Sequence, residues 1–98
     1  MRIIKKKSLI DFIAKHPESA VALMAWYKTA SRAEWKNFAN IRKDFNSVDS
    51  VGNRRYVFNV KGNDFRLIVI ILFKPKTIYI RFVGTHQDYD RITDIKNI

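Results

Sequence analysis

Residues 56–90, YVFNVKGNDFRLIVIILFKPKTIYIRFVGTHQDYD, predict the centre of the fold. They contain three runs rich in Val, Ile, Phe and Tyr, separated by the short breaks KGND and KPK. Apolar runs joined by Gly, Asn or Pro are typical of antiparallel strands connected by tight turns. The middle run, residues 65–73, is apolar at almost every position. We therefore expect it at the centre of a three-stranded sheet, covered on both faces.

The turn between the first two strands predicts a pair of polar neighbours. If Gly62 and Asn63 form a two-residue turn, Asn59 lies opposite Arg66 on the same face of the sheet. Arg66 is the only charged residue of the middle run. It stands at the start of that strand, from which its side chain can reach the rim of the sheet.

The turn between the last two strands extends this register. If residues 75–76 form that turn, Thr85 lies beside Arg66 and Ile70 lies beside Arg81. Arg81 is then four residues along the strand from Thr85, a distance of roughly 13 Å. We therefore expect the site to combine Asn59 and Arg66 with the end of the last strand, and Arg81 joins it only if the register shifts.

Length and composition suit a single basic domain spanning residues 1–98. The chain has 98 residues, of which 47% are hydrophobic, so it can bury an ordinary core. It contains no cysteine, no apolar run of signal-peptide length and none long enough to cross a membrane, which fits a protein of a reducing cytoplasm. The formal net charge of +10 would attract polyanions, of which nucleic acid is the commonest. Binding to an acidic protein is the alternative.

The first half of the chain predicts helices. Residues 1–5 can form an edge strand, and Ser8 can cap a helix over residues 8–16. Pro17 ends that helix and can open a second one, which we expect from Glu18 onward. A second capping pattern and the spacing of apolar residues favour a further one or two helical turns after Ser31, SRAEWKNFANI.

The remaining segments complete an α+β architecture. We expect a loop over residues 44–53 and a weak helix or tail over residues 87–98. The aromatic residues Trp26, Trp35 and Phe38 could stack on bases, but their helical spacing favours a place in the core. The fold class is therefore α+β, with N-terminal helices packed on one face of a small antiparallel β-sheet. The other face should be the working surface.

Most familiar catalytic patterns are absent from the sequence. It has no nucleophilic cysteine, GxSxG elbow, phosphate-binding glycine loop or HExxH pair. With two histidines in the chain, a histidine-rich metal site is excluded, and Asp88 and Asp90 near His86 form only a weak metal candidate. We therefore predict no metal and no cofactor.

RNA can be cleaved without a metal, because its own 2′-OH can attack the adjacent phosphorus. The protein must then supply a cation for the phosphate, a group that exchanges protons near neutral pH, and a contact that holds a base. Arg66 suits the first role because its planar guanidinium can bind two phosphate oxygens. His86 suits the second, and Tyr89 can stack on a base or bind phosphate. An incidental histidine and a packing tyrosine are the alternatives.

The runs YVFNVKGNDFRLIVII and VGTHQDYD, together with the chain length and the order of helices before strands, resemble the HigB toxins of the RelE-like superfamily. These are the toxin halves of type II toxin–antitoxin pairs. The resemblance covers nearly the whole chain, and a THxxYD motif after an arginine-bearing strand is fairly specific to the group. It implies a RelE-like fold.

The resemblance also implies an activity and partners. The activity is that of an mRNA interferase, an endoribonuclease that often acts on message bound to the 70S ribosome and that inhibits translation. The partner is a HigA-type antitoxin with a helix-turn-helix domain, through which the pair would bind operator DNA. Arg66 takes the place of the phosphate-holding arginine, His86 that of an arginine or histidine after the last strand, and Tyr89 lies near a functional tyrosine.

One departure from the family pattern concerns the general base. Some relatives carry two lysines on the first of the three predicted strands, where this chain has Val57 and Asn59. Asn59 can orient a ribose or phosphate but cannot accept a proton at neutral pH. Lys61 could supply the missing charge, and Arg81 is a further candidate substrate contact. The departure keeps open a non-catalytic RNA- or ribosome-binding domain as the alternative function.

Overall fold

The three predicted strands form the centre of a five-stranded sheet in the computed structural model, which describes all residues from 1 to 98. Two edge strands flank it, so that the spatial order is β1-β5-β4-β3-β2. All neighbouring pairs are antiparallel except β1, which runs parallel to β5. The strands are β1 (Arg2–Ile4), β2 (Asp49–Gly52), β3 (Arg55–Val60), β4 (Phe65–Leu72) and β5 (Thr77–Thr85). The middle strand, β4, is therefore central, as predicted.

Four α-helices and two short 3-10 helices accompany the sheet. The α-helices are α1 (Lys6–Lys15), α2 (Ala20–Arg32), α3 (Phe38–Asp44) and α4 (His86–Asp90), and the 3-10 helices are Pro17–Ser19 and Ile95–Asn97. None of these helices has the length and apolarity that a membrane span requires.

The predicted helix starts are partly wrong. Helix α1 begins at Lys6, two residues before Ser8, because the chain turns sharply out of β1 at Lys5, whose φ is +74°. Pro17 opens the next helical turn, as predicted. Helix α3 is capped by Asn37, whose side-chain oxygen accepts a hydrogen bond from the backbone N–H of Asn40 at 3.0 Å. A side-chain cap thus starts α3, but further along the chain than Ser31.

The helices bury one face of the sheet, which we call the core face. Trp26 and Trp35 are both buried against Phe58 of β3, which confirms that these aromatics belong to the core. Such aromatic pairs contribute about 0.5–1.5 kcal/mol each beyond the area they bury. The core face consists of Tyr56, Phe58 and Val60 from β3, Phe65, Leu67, Val69 and Ile71 from β4, and Ile78 and Ile80 from β5.

The alternate residues of the same strands form the outer face, which comprises Arg55, Val57 and Asn59 of β3, Arg66, Ile68 and Ile70 of β4, and Tyr79 of β5. Its middle is covered as well, since Val57 and Ile68 are buried without belonging to the main core. The C-terminal segment lies over this face, because α4 contacts β4 and β5 and the last 3-10 helix contacts β2.

The first hairpin has the predicted register and the second does not. Asn59 lies opposite Arg66 as expected. On the other side, Arg66 pairs with Gly84, and Ile70 pairs with Tyr79. The expected neighbours, Thr85 and Arg81, are wrong because the connection spans residues 73–76 and a bulge interrupts the register between Ile68 and Val69. The predicted loop over residues 44–53 is also wrong in part, since it contains β2.

Candidate functional site

A row of three residues across the outer face forms the base of the site. Asn59, Arg66 and Gly84 are neighbours on β3, β4 and β5. The aromatic ring of Phe82 lies over Gly84, so that a Cβ atom added there would come within 2.5 Å of the ring. Any larger residue at position 84 would have to displace Phe82 next to the arginine. The row places the amide of Asn59 beside Arg66, and this amide makes no hydrogen bond within the chain.

Arg66 is a nearly buried cation without a carboxylate partner. Its side chain retains 9% exposure, and one guanidinium nitrogen donates to the carbonyl oxygens of Asn63 at 3.0 Å and Phe65 at 3.2 Å. None of the five ion pairs of the protein includes it. Buried charges are usually paired, and an unpaired one is costly. The remaining guanidinium nitrogens of Arg66 are therefore well placed to receive an anion.

Tyr89 of α4 covers the guanidinium of Arg66. The central carbon of the guanidinium lies 5.6 Å from the centre of the tyrosine ring, within the range of a cation–π interaction. Burial raises the pKa of the Tyr89 hydroxyl, which Arg66 partly offsets, while Asp49 and Asp90 add to the increase. Tyr89 is therefore a neutral phenol at neutral pH, which can donate a hydrogen bond but cannot serve as a base.

His86 is held at the beginning of α4 by three contacts. The side chain of Thr85 caps this helix by accepting a hydrogen bond from the backbone N–H of Asp88 at 3.1 Å. The backbone N–H of His86 donates to the carbonyl oxygen of Asp64 at 3.1 Å, which joins α4 to the turn between β3 and β4. The Nδ1 atom of His86 lies 2.9 Å from Oδ2 of Asp90. The other ring nitrogen, Nε2, has no partner within the chain.

This role of Asp90 was not predicted from the sequence, where the residue was considered only as a weak metal ligand. His86 and Asp90 are nevertheless four residues apart, the spacing that brings side chains together on one face of a helix. A carboxylate beside one imidazole nitrogen can orient the ring and stabilise its positive charge after it takes up a proton. No group of three or more His, Cys, Asp or Glu side chains is arranged to hold a metal ion.

Two further candidates differ in how close they lie to this site. Lys61 is exposed in the turn that contacts His86, and its Nζ lies 3.9 Å from a carboxylate oxygen of Asp64. Arg81 lies elsewhere, with its Nε donating to the carbonyl oxygen of Ile98 at 3.2 Å. Val57 is buried, so this position cannot present a side chain to a substrate. The structure thus groups Arg66, Tyr89, His86, Asn59 and Lys61 at one end of the outer face and separates Arg81 from them.

The site is a surface and not a pocket. None of the three cavities of the molecule is lined by Arg66, His86 or Tyr89. The largest, about 410 Å³, lies around Tyr56 and the loop from β4 to β5. Pockets usually enclose small-molecule ligands, whereas polymers bind along open surfaces. A cation, a proton-exchanging imidazole and a neutral phenol on an open surface can bind and rearrange a phosphodiester.

Comparison with known proteins identifies the family of this chain. Residues 19–92 match the family model of HigB_toxin, described as the RelE-like toxic component of a toxin–antitoxin system. The chain is 33% identical over 97 residues to the mRNA interferase toxin HigB of Escherichia coli K12, covering 97% of this chain and 93% of the relative. It is 30% identical over 95 residues to an mRNA interferase HigB of Escherichia coli O6:H1, covering 95% and 92%. The chain therefore belongs to the HigB toxin family, whose members are RelE-like toxic components of toxin–antitoxin systems.

Proposed function

We propose that this protein is a toxin that cleaves mRNA by attack of the RNA 2′-OH on the adjacent phosphorus. The observation that carries the proposal is Arg66, a nearly buried cation with no carboxylate partner, lying under Tyr89 at the end of the sheet from which His86 emerges. The relatives in Escherichia coli are named mRNA interferases, which supports the same substrate for this chain.

Arg66 binds the scissile phosphate in this mechanism. Charge develops on the non-bridging oxygens as the 2′-oxygen attacks, and a guanidinium held in place by the carbonyls of Asn63 and Phe65 needs no reorganisation to stabilise it. A single donor of this kind typically contributes a factor of about 10²–10³ to the rate. Its nearly buried position strengthens the interaction, because water screens it less.

His86 exchanges a proton with the reacting RNA. The 2′-OH loses a proton as it bonds to phosphorus, and the 5′-oxygen gains one as its bond to phosphorus breaks, so that the products are a 2′,3′-cyclic phosphate and a 5′-hydroxyl. The free Nε2 of His86 can serve at either end of this exchange, while Asp90 holds Nδ1. Tyr89 can donate a hydrogen bond to the same phosphate, because its hydroxyl stays protonated.

Asn59 and Lys61 bind the RNA on either side of these groups. The free amide of Asn59 can bond to a ribose or phosphate next to Arg66. The exposed ammonium of Lys61 adds a positive charge at the turn that holds His86. Arg81 also contributes to substrate binding, but at the other end of the outer face.

The toxin acts with partners inside the bacterial cytoplasm. We propose that it cleaves message on the 70S ribosome, and that it is neutralised by an antitoxin of the HigA type. Operator DNA would be bound by the helix-turn-helix domain of that antitoxin and not by this chain. The membership in a toxin–antitoxin family and the net charge of +10 support the antitoxin and the nucleic-acid substrate, respectively.

The test is to express the wild type and His86→Ala briefly in bacteria and to map the 5′ ends of messages by primer extension. New ends within translated regions that carry a 5′-hydroxyl, and that are absent with His86→Ala, are the expected result. Growth arrest with intact message would instead favour a non-catalytic RNA- or ribosome-binding domain. New ends that persist at the wild-type level in His86→Ala would contradict the assignment of His86.

A further inference from the structure

We propose that a second RNA-binding site lies at the opposite end of the outer face, in a cleft formed by three arginines. The inference rests on the proposed function, because it assigns a second subsite for the same RNA. The cleft has a volume of about 340 Å³. We call it the arginine cleft; its lining includes Arg54, Arg55, Arg81, Tyr79, Ile70 and Leu72.

No Asp or Glu side chain pairs with the arginines of this cleft. None of the five ion pairs of the protein includes Arg54, Arg55 or Arg81. Arg55 and Arg81 both donate to the carbonyl oxygen of Ile98, at 2.7 and 3.2 Å, and Arg55 also donates to the carbonyl oxygen of Asn53. Two of the three arginines share this one terminal oxygen, so the cleft keeps a net positive charge.

One lining arginine has a donor atom that is both buried and unsatisfied. The Nε atom of Arg55 is sealed from solvent and makes no hydrogen bond. Buried polar atoms in native proteins nearly always have a partner, and an exception calls for an explanation. An anion in the cleft stabilises the Arg55 guanidinium as a whole, because the attraction between two charges does not require contact with this atom.

The remaining lining suits a base and not only a phosphate. Tyr79 is 38% exposed, so its ring is accessible to a ligand, and it lies opposite Ile70 of β4. Single-stranded nucleic acids bind to proteins through a basic groove that follows the phosphates and through aromatic side chains that stack on bases. Arg54 and Arg81 are exposed beside Tyr79 and supply the first of these elements.

The position of the cleft favours RNA over an acidic protein segment. Arg55 is four residues along β3 from Asn59 on the same face, a separation of roughly 13 Å that a few nucleotides can span. Residues 91–98 lie between the two ends, and they expose two cations, Arg91 and Lys96, and one carboxylate, Asp94. A single strand held at Arg66 can therefore continue across this segment into the arginine cleft.

The test measures binding of an RNA that cannot be cleaved. The probe is a fluorescein-labelled RNA of about twelve nucleotides, a length within the range of single-strand sites, with 2′-O-methyl groups throughout. Fluorescence anisotropy is recorded at several salt concentrations for the wild type, Arg81→Gln, Tyr79→Ala and the control Lys28→Gln. Lys28 is exposed on α2, in the helix layer, and its loss removes the same charge as the loss of Arg81.

The two cleft variants should differ in their salt dependence. Arg81→Gln should weaken binding about tenfold and reduce the slope of log K against log salt by about 0.7, because a phosphate contact is lost. Tyr79→Ala should weaken binding about fivefold or more with the slope unchanged, because a stacking contact is lost. Lys28→Gln should bind like the wild type. Circular dichroism checks that each variant is folded.

Other outcomes would overturn the inference. Cleft variants that bind this RNA as Lys28→Gln does, or a wild type that does not bind it, would remove the second site. Binding of a polyglutamate peptide that depends on Arg81, with RNA binding that does not, would identify an acidic protein segment as the occupant. Failure of the proposed function is distinguishable: RNA binding that depends on the cleft, in a protein that cleaves no message, would contradict the nuclease and leave the cleft in place.

Discussion

The two ends of the outer face both carry arginines, yet they differ in the groups that surround these arginines. At one end, Arg66 is nearly buried, lies under Tyr89, and stands close to the strand end from which His86 and Asp90 emerge. At the other end, no histidine, aspartate or glutamate lines the arginine cleft. The first end can therefore both hold a phosphate and exchange protons, whereas the second can only bind.

This difference separates two requirements of a nuclease that acts on a polymer. Rate acceleration comes from interactions that strengthen in the transition state, which needs a fixed cation and a proton-exchanging group at the scissile bond. Binding energy from remote parts of the substrate serves to position that bond. The same residue type can supply either, and the neighbours of the arginine decide which.

Removal of one arginine from each end should give the largest contrast. Arg66→Ala should lower the turnover rate by a factor of about 10²–10³, because it removes the stabilisation of charge on the phosphate. Arg81→Gln should raise KM several-fold and leave the turnover rate unchanged, because a contact with the bound substrate is lost uniformly. Both are measured as rates of message cleavage in a purified translation system.

Arg66→Lys provides the matched control for charge. Lysine keeps the positive charge but lacks the planar fork, so that its activity should fall between those of the wild type and Arg66→Ala. Arg66 has no carboxylate partner, and its replacement should therefore leave the fold intact by circular dichroism. Equal losses of turnover rate in Arg66→Ala and Arg81→Gln would show that the two ends do not have separate roles.

A smaller effect is expected at Asp90, because this residue acts through His86. Asp90→Ala should lower the turnover rate about tenfold without a change in KM, since the imidazole loses the carboxylate 2.9 Å from Nδ1 but stays in place at the helix start. Asp90→Asn keeps an oxygen at this position and should lose less activity. The same cleavage assay measures both variants.

A double-mutant cycle shows whether Asp90 acts on its own. In a His86→Ala background, Asp90→Ala should cause no further loss, because the ring that it orients is absent. Independent losses that multiply in the double variant would mean that Asp90 contributes in another way, for instance through Tyr89, on whose pKa its charge also acts.

The sequence allowed most of the sheet to be predicted, together with the end of the outer face that carries Arg66. The alternation of apolar residues and the short turn at residues 61–64 are local signals, and they fix the pairing of Asn59 with Arg66. The family motif pointed to His86 and Tyr89, which the structure places on α4. The edge strand predicted for residues 1–5 is β1, but its place beside β5 was not predicted.

Features that depend on distant contacts were not predictable in the same way. The bulge that leaves Arg81 out of the pairing, and the longer connection over residues 73–76, are decided by packing across the sheet and not by the turn residues. Strand β2 was missed because its residues, DSVG, are mostly polar or small and pair only with the first half of β3. The arginine cleft required the C-terminal segment to be placed over the outer face.

The smallest expected effect compares two tyrosines, one on each face of the sheet. Burial raises the pKa of Tyr56 on the core face and of Tyr89 on the outer face, but Arg66 partly offsets the increase only for Tyr89. Arg66→Ala should therefore move the titration of Tyr89 to higher pH and leave that of Tyr56 unchanged. The tyrosinate absorbance, assigned with Tyr56→Phe and Tyr89→Phe, measures both.

The stability of the protein at high pH should depend on the same two tyrosines. Because both folded pKa values lie above the value of about 10 for an unfolded tyrosine, the stability they confer is present below that pH and is lost as the pH rises through the folded pKa values. Thermal unfolding above about pH 10 should show a smaller loss in each Tyr→Phe variant than in the wild type. If the titration of Tyr89 were the same in Arg66→Ala as in the wild type, that result would contradict the contact between the two residues, on which the catalytic end of the outer face depends.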